Sequence, residues 1–183
     1  MNTANLPRSI DRSRQGGAVL IVSMLLLLVL TILALGAGQS TRLEERMAGN
    51  ARDMDLAFQS SEAGLRAAET FIAATPILQP CADPASASCM VLEQGHFAAL
   101  DLARQDKGWW QANAKPYGAP SAHEIQEVTE DPRYVIEELQ FVSFSLGQGH
   151  GVPAGKTYYK STAWSPGATE TANAVVESVF SRE

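Results

Sequence analysis

The side chains that most often perform catalysis are scattered in this sequence. His96, His123 and His150 stand far apart, each in a loop-like context, and they make no metal-ligand spacing. Solvent-facing or locally hydrogen-bonded histidines are the favoured interpretation. No Ser/His/Asp arrangement can be argued from spacing, and no nucleophile-elbow motif occurs. The sequence therefore predicts no enzyme and no cofactor or metal. An extracytoplasmic enzyme stays as an alternative, to be tested by a hydrolase and metal screen.

Two further segments resemble ligand sites only superficially. Residues 147–151 (GQGHG) suggest a phosphate loop, but a strand pattern follows them where a helix N-terminus would be needed. We interpret this segment as a turn. The acidic run at 124–131 could bind a cation weakly, although solvated carboxylates are the favoured interpretation.

The element that organises the rest of the chain is an uncharged apolar block at residues 18–37. As a helix it would be about 30 Å long, which matches the hydrocarbon thickness of a bilayer. Arg8, Arg12 and Arg14 precede it with only Asp11 against them, and positive flanks stay in the cytoplasm. We predict one inner-membrane span with the residues after it outside the cytoplasm. That exported part is mildly acidic and has no electrostatic footprint for nucleic acid.

Cys81 and Cys89 both fall on the exported side, where disulfides form and persist. A disulfide that shapes a surface loop is therefore predicted, with two unpaired thiols as the alternative. The leader, residues 1–17, ends in Gln15-Gly16-Gly17, so small residues precede the apolar block where an ordinary secretory signal places them after it. This order suits a peptidase that cuts on the cytoplasmic side and leaves the helix on the mature protein.

A long amphipathic helix is predicted over 39–75, ending before Pro76. Its apolar and small residues alternate steps of four and three, which gives a heptad-like stripe. Two interpretations stay open, packing on the protein's own sheet and packing on another helix, and the two can divide the helix between them. The stripe residues are Met47, Ala51, Met54, Phe58, Ser61, Leu65, Ala68 and Ile72.

The remainder predicts a loop-rich connection over 76–131 and an antiparallel sheet over 132–183. The connection has a short helix near 96–105, and Trp109 and Trp110 are expected over the core or the helix. Strand patterns cover 133–145, 156–164 and 173–182, and the alternation in the first slips near Glu137 and Glu138. The amphipathic helix is the long element that can cover this sheet. The predicted fold class is α+β.

The order of these parts, and two segments in particular, resemble a known family. A Gly-Gly site, an uncharged helix at 18–38, an amphipathic extension and a small antiparallel sheet make up a type IV pilin-like fold. LEERMAGNARDMDLAFQSSEAGLRAAE at 43–69 resembles the N-terminal signature of PilX-type minor pilins. PRYVIEE at 132–138 and the final AVVESVFSR are similar to the C-terminal half of that family.

The resemblance implies a non-enzymatic filament subunit. A prepilin peptidase would cut after Gly17, and Ala18 would become the N-methylated first residue. The head would lie in the periplasm and then in the pilus, at or near its tip. Expected partners are other minor pilins (FimU-, PilV-, PilW- and PilE-like), the major pilin and a large tip adhesin. Together they would prime assembly and support twitching motility and adhesion.

Four side chains of the first helix are expected to enter the filament core, and four of the stripe to pack on partners. These are Val22, Leu25, Leu28 and Ile32, and Met47, Met54, Phe58 and Leu65.

One residue departs from the usual pilin pattern. Most pilins carry glutamate at the fifth mature position, where it pairs with a neighbour's terminal ammonium, and here that position is Val22. Tip pseudopilins of the type II secretion system, the K-type, also lack this glutamate, so such a pseudopilin is the alternative function. A single-pass membrane signalling protein is a more distant one. The mature N-terminus separates them, because only a signalling protein would keep residues 1–17.

Overall fold

The computed structural model describes residues 16–84, 86, 89–118, 123–144 and 154–183. The predictions for residues 1–15 and for 147–151, including His150, fall outside the described residues. The chain divides into two compact units, Met1–Ala48 and Gly49–Glu183. Helix α1 (Gly16–Ala74) contributes residues to both units. We describe the units in turn and refer to residues 49–183 as the head.

In the first unit, every described side chain lies on α1 and is exposed. The hydroxyls of this stretch are satisfied within the helix, since Ser23 donates to the carbonyl of Leu20 and Thr31 to that of Leu27. The helix is long and apolar enough to cross a membrane. An apolar surface of this extent needs lipid or other protein around it, because water cannot solvate it favourably. It fits a single-pass pilin of the inner membrane.

The head begins with the second part of α1 and continues with short and long elements. In chain order these are β1 (Pro80–Cys81), β2 (Val91–Leu92), a 3-10 helix (Leu102–Arg104), α2 (Lys107–Asn113), β3 (Lys115–Pro116), β4 (Arg133–Ser143), β5 (Gly155–Pro166) and β6 (Asn173–Arg182).

The described strands form one mixed sheet in the order β1-β2-β4-β5-β6, with β3 paired to β4. The long strands β4, β5 and β6 are antiparallel, as the sequence predicts. The α+β class is confirmed, but the sheet is not antiparallel throughout. β1 pairs in parallel with β2, and Leu92 of β2 lies beside Glu137 of β4, also in parallel. Strands of two residues carry no periodicity, so the sequence could not reveal them.

One face of the sheet is covered by α1. The side chains that meet there are Leu65, Ala68 and Ile72 from the helix and Val91, Tyr134, Ile136, Tyr159 and Ala163 from the strands. The helix approaches closely at Gly64, where an added Cβ would lie 3.2 Å from the Cβ atoms of Ala163 and Pro132. Small helix residues therefore set the distance between helix and sheet.

The opposite face carries a second apolar cluster, which is covered by the connection between α1 and β4. It contains Cys89, Leu92, Phe97, Leu102, Trp110, Ala114, Val135 and Trp164. Val135 and Trp164 belong to strands whose next residues face the helix, as the alternation of a strand requires. Trp110 is fully buried, and its ring stacks on that of Trp164 with centroids 6.2 Å apart.

The structure of the head confirms one local prediction from the sequence and corrects another. The register of β4 on β5 shifts between Glu138 and Gln140, beside the slip that the alternation predicts. The helix predicted near 96–105 is wrong in extent, because only Leu102–Arg104 form a 3-10 turn. The helical residues lie later, in α2, where the carboxylate of Asp106 accepts from the N–H of Trp109 and caps the helix.

Candidate assembly surfaces

The apolar helix of the first unit offers side chains all round. Val22, Leu25, Leu28 and Ile32 are exposed, but so are the residues between them. The structure therefore gives no preference for one face over another. Gly17 and Ala18 lie in the first turns of α1, and no described atom lies within 4 Å of a Cβ added at Gly17. Cleavage after Gly17 and methylation of Ala18 stay predictions.

The heptad-like stripe of α1 is divided between two environments. In the head, Ser61, Leu65, Ala68 and Ile72 are buried against the sheet. Met54 and Phe58 are 52% and 47% exposed. Met47, in the first unit, is exposed as well. Leu65 is only 5% exposed, which corrects its assignment to partner packing. Met54 and Phe58 form what we call the exposed ridge of the head helix.

The beginning of the head helix is held by the turn between β5 and β6. The carboxylate of Asp53 accepts hydrogen bonds from the backbone N–H of Thr169, at 3.0 Å, and from its hydroxyl. The hydroxyl bond is the main cause that lowers the pKa of Asp53 below its usual value. Gly167 lies directly against Asp53, where an added Cβ would be 2.6 Å from the Asp53 carbonyl oxygen. This contact orients the helix turn that precedes the exposed ridge.

The end of the head helix is held by the last strand. Arg182 donates to the carbonyls of Ile72, at 3.0 Å, of Pro76, at 2.9 Å, and of Thr75. The last turn of α1 contains no basic residue of its own. A cation at a helix C-terminus satisfies carbonyls that lack intrahelical partners and complements the helix dipole. Arg182 therefore caps α1 from a position more than a hundred residues later in the chain.

Sequence reasoning missed both of these holding contacts. Asp53 precedes the half-buried Leu56 and the buried Ala57 by about one helix turn. This position beside the packed face of the helix was a sequence signal for a contact with the rest of the head. Arg182 lies in a strand with an alternating pattern, and this pattern does not indicate which backbone groups its guanidinium contacts. Neither contact can be located without the tertiary fold.

The disulfide joins Cys81 to Cys89 with a Cα–Cα distance of 5.8 Å. It closes the connection between β1 and β2, and Cys89 is buried in the second cluster. The sequence predicted a bridge that only shapes a surface loop. In the structure the disulfide does more than shape a loop, because it connects β1, at the parallel edge of the sheet, to the apolar cluster on the face opposite the helix.

A group of charged side chains fixes α2 against the strands. Lys107 lies 2.9 Å from a carboxylate oxygen of Glu170 and 3.4 Å from one of Glu130. Glu130 also accepts from Arg133 at 2.9 Å. The hydrogen bond to Glu170 is the main cause that raises the pKa of Lys107. For Glu130 the largest influence is burial, which raises the pKa, but Arg133, Gln111 and Lys107 together lower it.

Two of the histidines considered first for chemistry, His96 and His123, make local structural contacts. His96 is exposed and meets Phe97 edge to face, whereas the ring of His123 lies 3.5 Å from the carboxylate of Asp131. Asp131 accepts from the backbone N–H groups of Glu124 and Ile125, so the acidic run folds on itself. Among the described residues, no group of His, Cys, Asp and Glu has the geometry to hold a metal ion.

Comparison with protein-family models identifies the family of this chain. Residues 15–66 match the PilX N-terminal model, and residues 58–182 match the model of the type IV pilus assembly protein PilX C-terminal region. No curated protein and no solved structure matches the chain. The N-terminal match includes the apolar helix, and the C-terminal match spans nearly all of the head. The two matches therefore indicate the same family. The chain belongs to the PilX family and is a minor pilin of the type IV pilus system.

Proposed function

We propose that this minor pilin joins at the very start of the filament, primes pilus assembly and remains at or near the tip. Its partners there would be FimU-, PilV-, PilW- and PilE-like minor pilins, the major pilin and a large tip adhesin. Twitching motility and adhesion would depend on it through pilus number and tip composition. The protein acts in this proposal as a structural subunit and performs no catalysis.

The exposed apolar helix supports an assembly role. Its side chains are uncharged from 18 to 37, and its hydroxyls are satisfied internally. Such a helix can leave lipid for the interior of a helical fibre without exposing polar groups to an apolar medium. Release from the basic leader after Gly17 would remove the charges that hold its N-terminus in the cytoplasm.

Val22 is the observation that carries the tip position. After cleavage at Gly17, Val22 is the fifth residue, and a valine cannot neutralise the terminal ammonium of a neighbouring subunit. A buried ammonium without a carboxylate is strongly unfavourable. A subunit that lacks this carboxylate is best placed where no earlier subunit needs neutralising, which is the first position of the filament.

The test compares Val22→Glu with wild type and with Val22→Gln, a control that is polar but uncharged. We expect Val22→Glu to reduce the number of pili and to appear along the shaft in immunogold images, whereas wild type labels the tip. Val22→Gln should not enter the shaft, because it supplies no charge. Unchanged pilus number together with even labelling of wild-type subunits along the shaft would contradict the proposal.

A K-type pseudopilin of type II secretion, the alternative that the sequence left open, also lacks a glutamate at the position of Val22, but the PilX family matches favour the pilus. The two machines are separated by complementation in a deletion strain. Restored piliation with unchanged protein secretion supports the pilus, and the reverse result supports the secretion system.

A further inference from the structure

Building on the assembly role proposed above, we propose that β6 is a docking edge for an extended segment of another pilus subunit. The segment would add to the head sheet as a further strand. The observations that carry this proposal are the open backbone groups of β6 among the described residues, its length and regular register, and the charges that line it.

The outward backbone groups of β6 can be identified from its register. The N–H of Gly167 donates to the carbonyl of Ala172, which makes this a hydrogen-bonded pair at the head of the β5–β6 ladder. Bonded and non-bonded pairs alternate in an antiparallel ladder. The pairs of Trp164 with Val175 and of Lys160 with Val179 are therefore non-bonded. The backbone groups of Val175, Glu177, Val179 and Ser181 point away from β5, and no described residue bonds to them.

β6 lacks three of the features with which proteins usually protect a sheet edge, namely short length, proline and a bulge, although Glu177 places a charge on it. It has ten residues, no proline and an unbroken register on β5. Val179 is 61% exposed on it. The other long edge differs, because β4 carries a bulge at Glu138 and is partly covered by β2 and β3. An open, regular edge binds an extended backbone in preference to any other ligand shape, since only a strand matches the spacing of its donors and acceptors.

The side chains beside this edge specify the segment further. On the face away from α1, Glu177 lies between Val175 and Val179. On the helix side, Glu69 accepts from Ser178 at 2.8 Å, and Glu62, two turns earlier, lies on the same flank of α1. Side chains directly opposite in neighbouring strands prefer apolar or oppositely charged pairs. The segment should therefore read apolar–x–basic–x–apolar.

A second copy of this chain does not meet that requirement. In an antiparallel pairing of two β6 strands, the register that places Val175 opposite Val179 also places Glu177 opposite Glu177. Like charges in that position are destabilising. A segment of a different subunit with lysine or arginine at the centre avoids this repulsion.

The experiment uses the full-length protein in a deletion strain, with a photo-cross-linking residue in place of Ser181. We expect an adduct to another pilus subunit, on a segment with the alternating apolar and basic pattern. Val179→Pro should reduce this adduct about tenfold. Proline removes an outward N–H that serves no internal bond, so the head should still fold. Glu177→Lys should weaken the adduct as well, and because Glu177 also accepts a hydrogen bond from the buried Thr162 hydroxyl at 3.2 Å, a thermal melt checks that this variant folds.

Val142→Lys and Val179→Lys form the matched control. Both valines are exposed on the sheet face away from α1, but Val142 lies on β4. Only Val179→Lys should reduce the adduct. An adduct to a second copy, to a segment without the pattern, or one that survives both Val179→Pro and Glu177→Lys would overturn the proposal. If wild type fails to restore piliation while the patterned adduct forms, the assembly role is wrong and the docking edge stands.

Discussion

Arg182 connects the last strand of the head to the end of α1 through a single side chain. Its guanidinium reaches three carbonyls at the end of α1, which a lysine at the same position could not span. We expect Arg182→Met to lower the free energy of unfolding by about 2 kcal/mol, because several carbonyls lose a charged donor. Arg182→Lys should recover part of this. The measurement is denaturation in detergent followed by tryptophan fluorescence.

The control for Arg182 is Lys156→Met. Lys156 pairs with Glu183 at 2.9 Å on the surface, and such pairs contribute little. Its denaturation midpoint should stay close to that of wild type. Equal effects of the two methionine variants would mean that the helix-capping contact does not stabilise the head.

Asp53 makes the stability of the head depend on pH. The hydrogen bond from Thr169 lowers the pKa of Asp53 in the folded protein, so the carboxylate is more acidic folded than unfolded. Its contribution is fully present above the unfolded pKa of about 4 and is lost as the pH falls through the lower folded value. Thr169→Val should therefore be less stable than wild type at pH 6, and the difference should shrink as the pH falls below about 4. A thermal melting series over pH measures this.

Thr70→Val is the control for the pH series, because within the described part of the chain the Thr70 hydroxyl donates to the carbonyl of Arg66 on its own helix and to no carboxylate. It should keep the pH profile of wild type. If Thr169→Val melts in parallel with wild type at every pH, the Asp53 contact does not govern the acid response.

Buried hydroxyls between helix and sheet differ in what they bond. The hydroxyl of Ser165 donates to that of Ser60 at 2.8 Å, whereas the buried Ser161 hydroxyl has no partner among the described residues. Ser165→Ala should destabilise the head by about 1–2 kcal/mol, since it leaves Ser60 without its bond. Ser161→Ala should be neutral or stabilise the head slightly, because it removes an unsatisfied group. Chemical denaturation compares them, and the opposite order would contradict the assignment.

At the scale of elements, the sequence predicted what is periodic and missed what is not. The spacing of apolar residues is sufficient to predict the long elements α1, β4, β5 and β6. The irregularity in the β4 register near Glu138 was predicted as well, from the break in the alternation. α2 has only seven residues, about two turns, and two adjacent tryptophans, so the sequence shows no helical periodicity there. β1 and β2 have two residues each and pair in parallel, an arrangement that only the tertiary structure determines. Which residues of the heptad-like stripe are buried and which form the exposed ridge depends on where the sheet ends. The sheet is formed by residues elsewhere in the chain, so the stripe alone cannot predict this division.

The distance between α1 and the sheet can be tested with two glycines of the same helix. Gly49→Ala meets no atom within 4 Å, so it should stabilise the head by up to about 1 kcal/mol through helix propensity alone. Gly64→Ala gains the same propensity but presses on Pro132 and Ala163. We expect it to be less stable than Gly49→Ala by about 1–3 kcal/mol. Equal stability of the two variants, measured by chemical denaturation, would mean that the helix can move away from the sheet freely.

For the whole molecule, the main question is which apolar surface of the head is reserved for assembly. The exposed ridge of Met54 and Phe58 lies on the same helix that carries the apolar block, and no described residue covers it. Apolar side chains repeated on one helix face are typical of helix–helix contacts. The head reaches its fold without covering them, so their substitution should separate assembly from folding.

We therefore expect Phe58→Lys to leave the melting temperature nearly unchanged and to prevent incorporation into pili. The reason is that a lysine at this position would place a charge between packed helices, whereas in the isolated head it faces water. Ile77→Lys is the matched control, because Ile77 is 77% exposed but lies beyond the end of α1. Incorporation is measured by the ratio of subunit in sheared pili to subunit in membranes. If Phe58→Lys enters pili as well as Ile77→Lys does, the exposed ridge is not an assembly surface, and the filament contacts of this subunit are confined to the apolar block and the strands of its head.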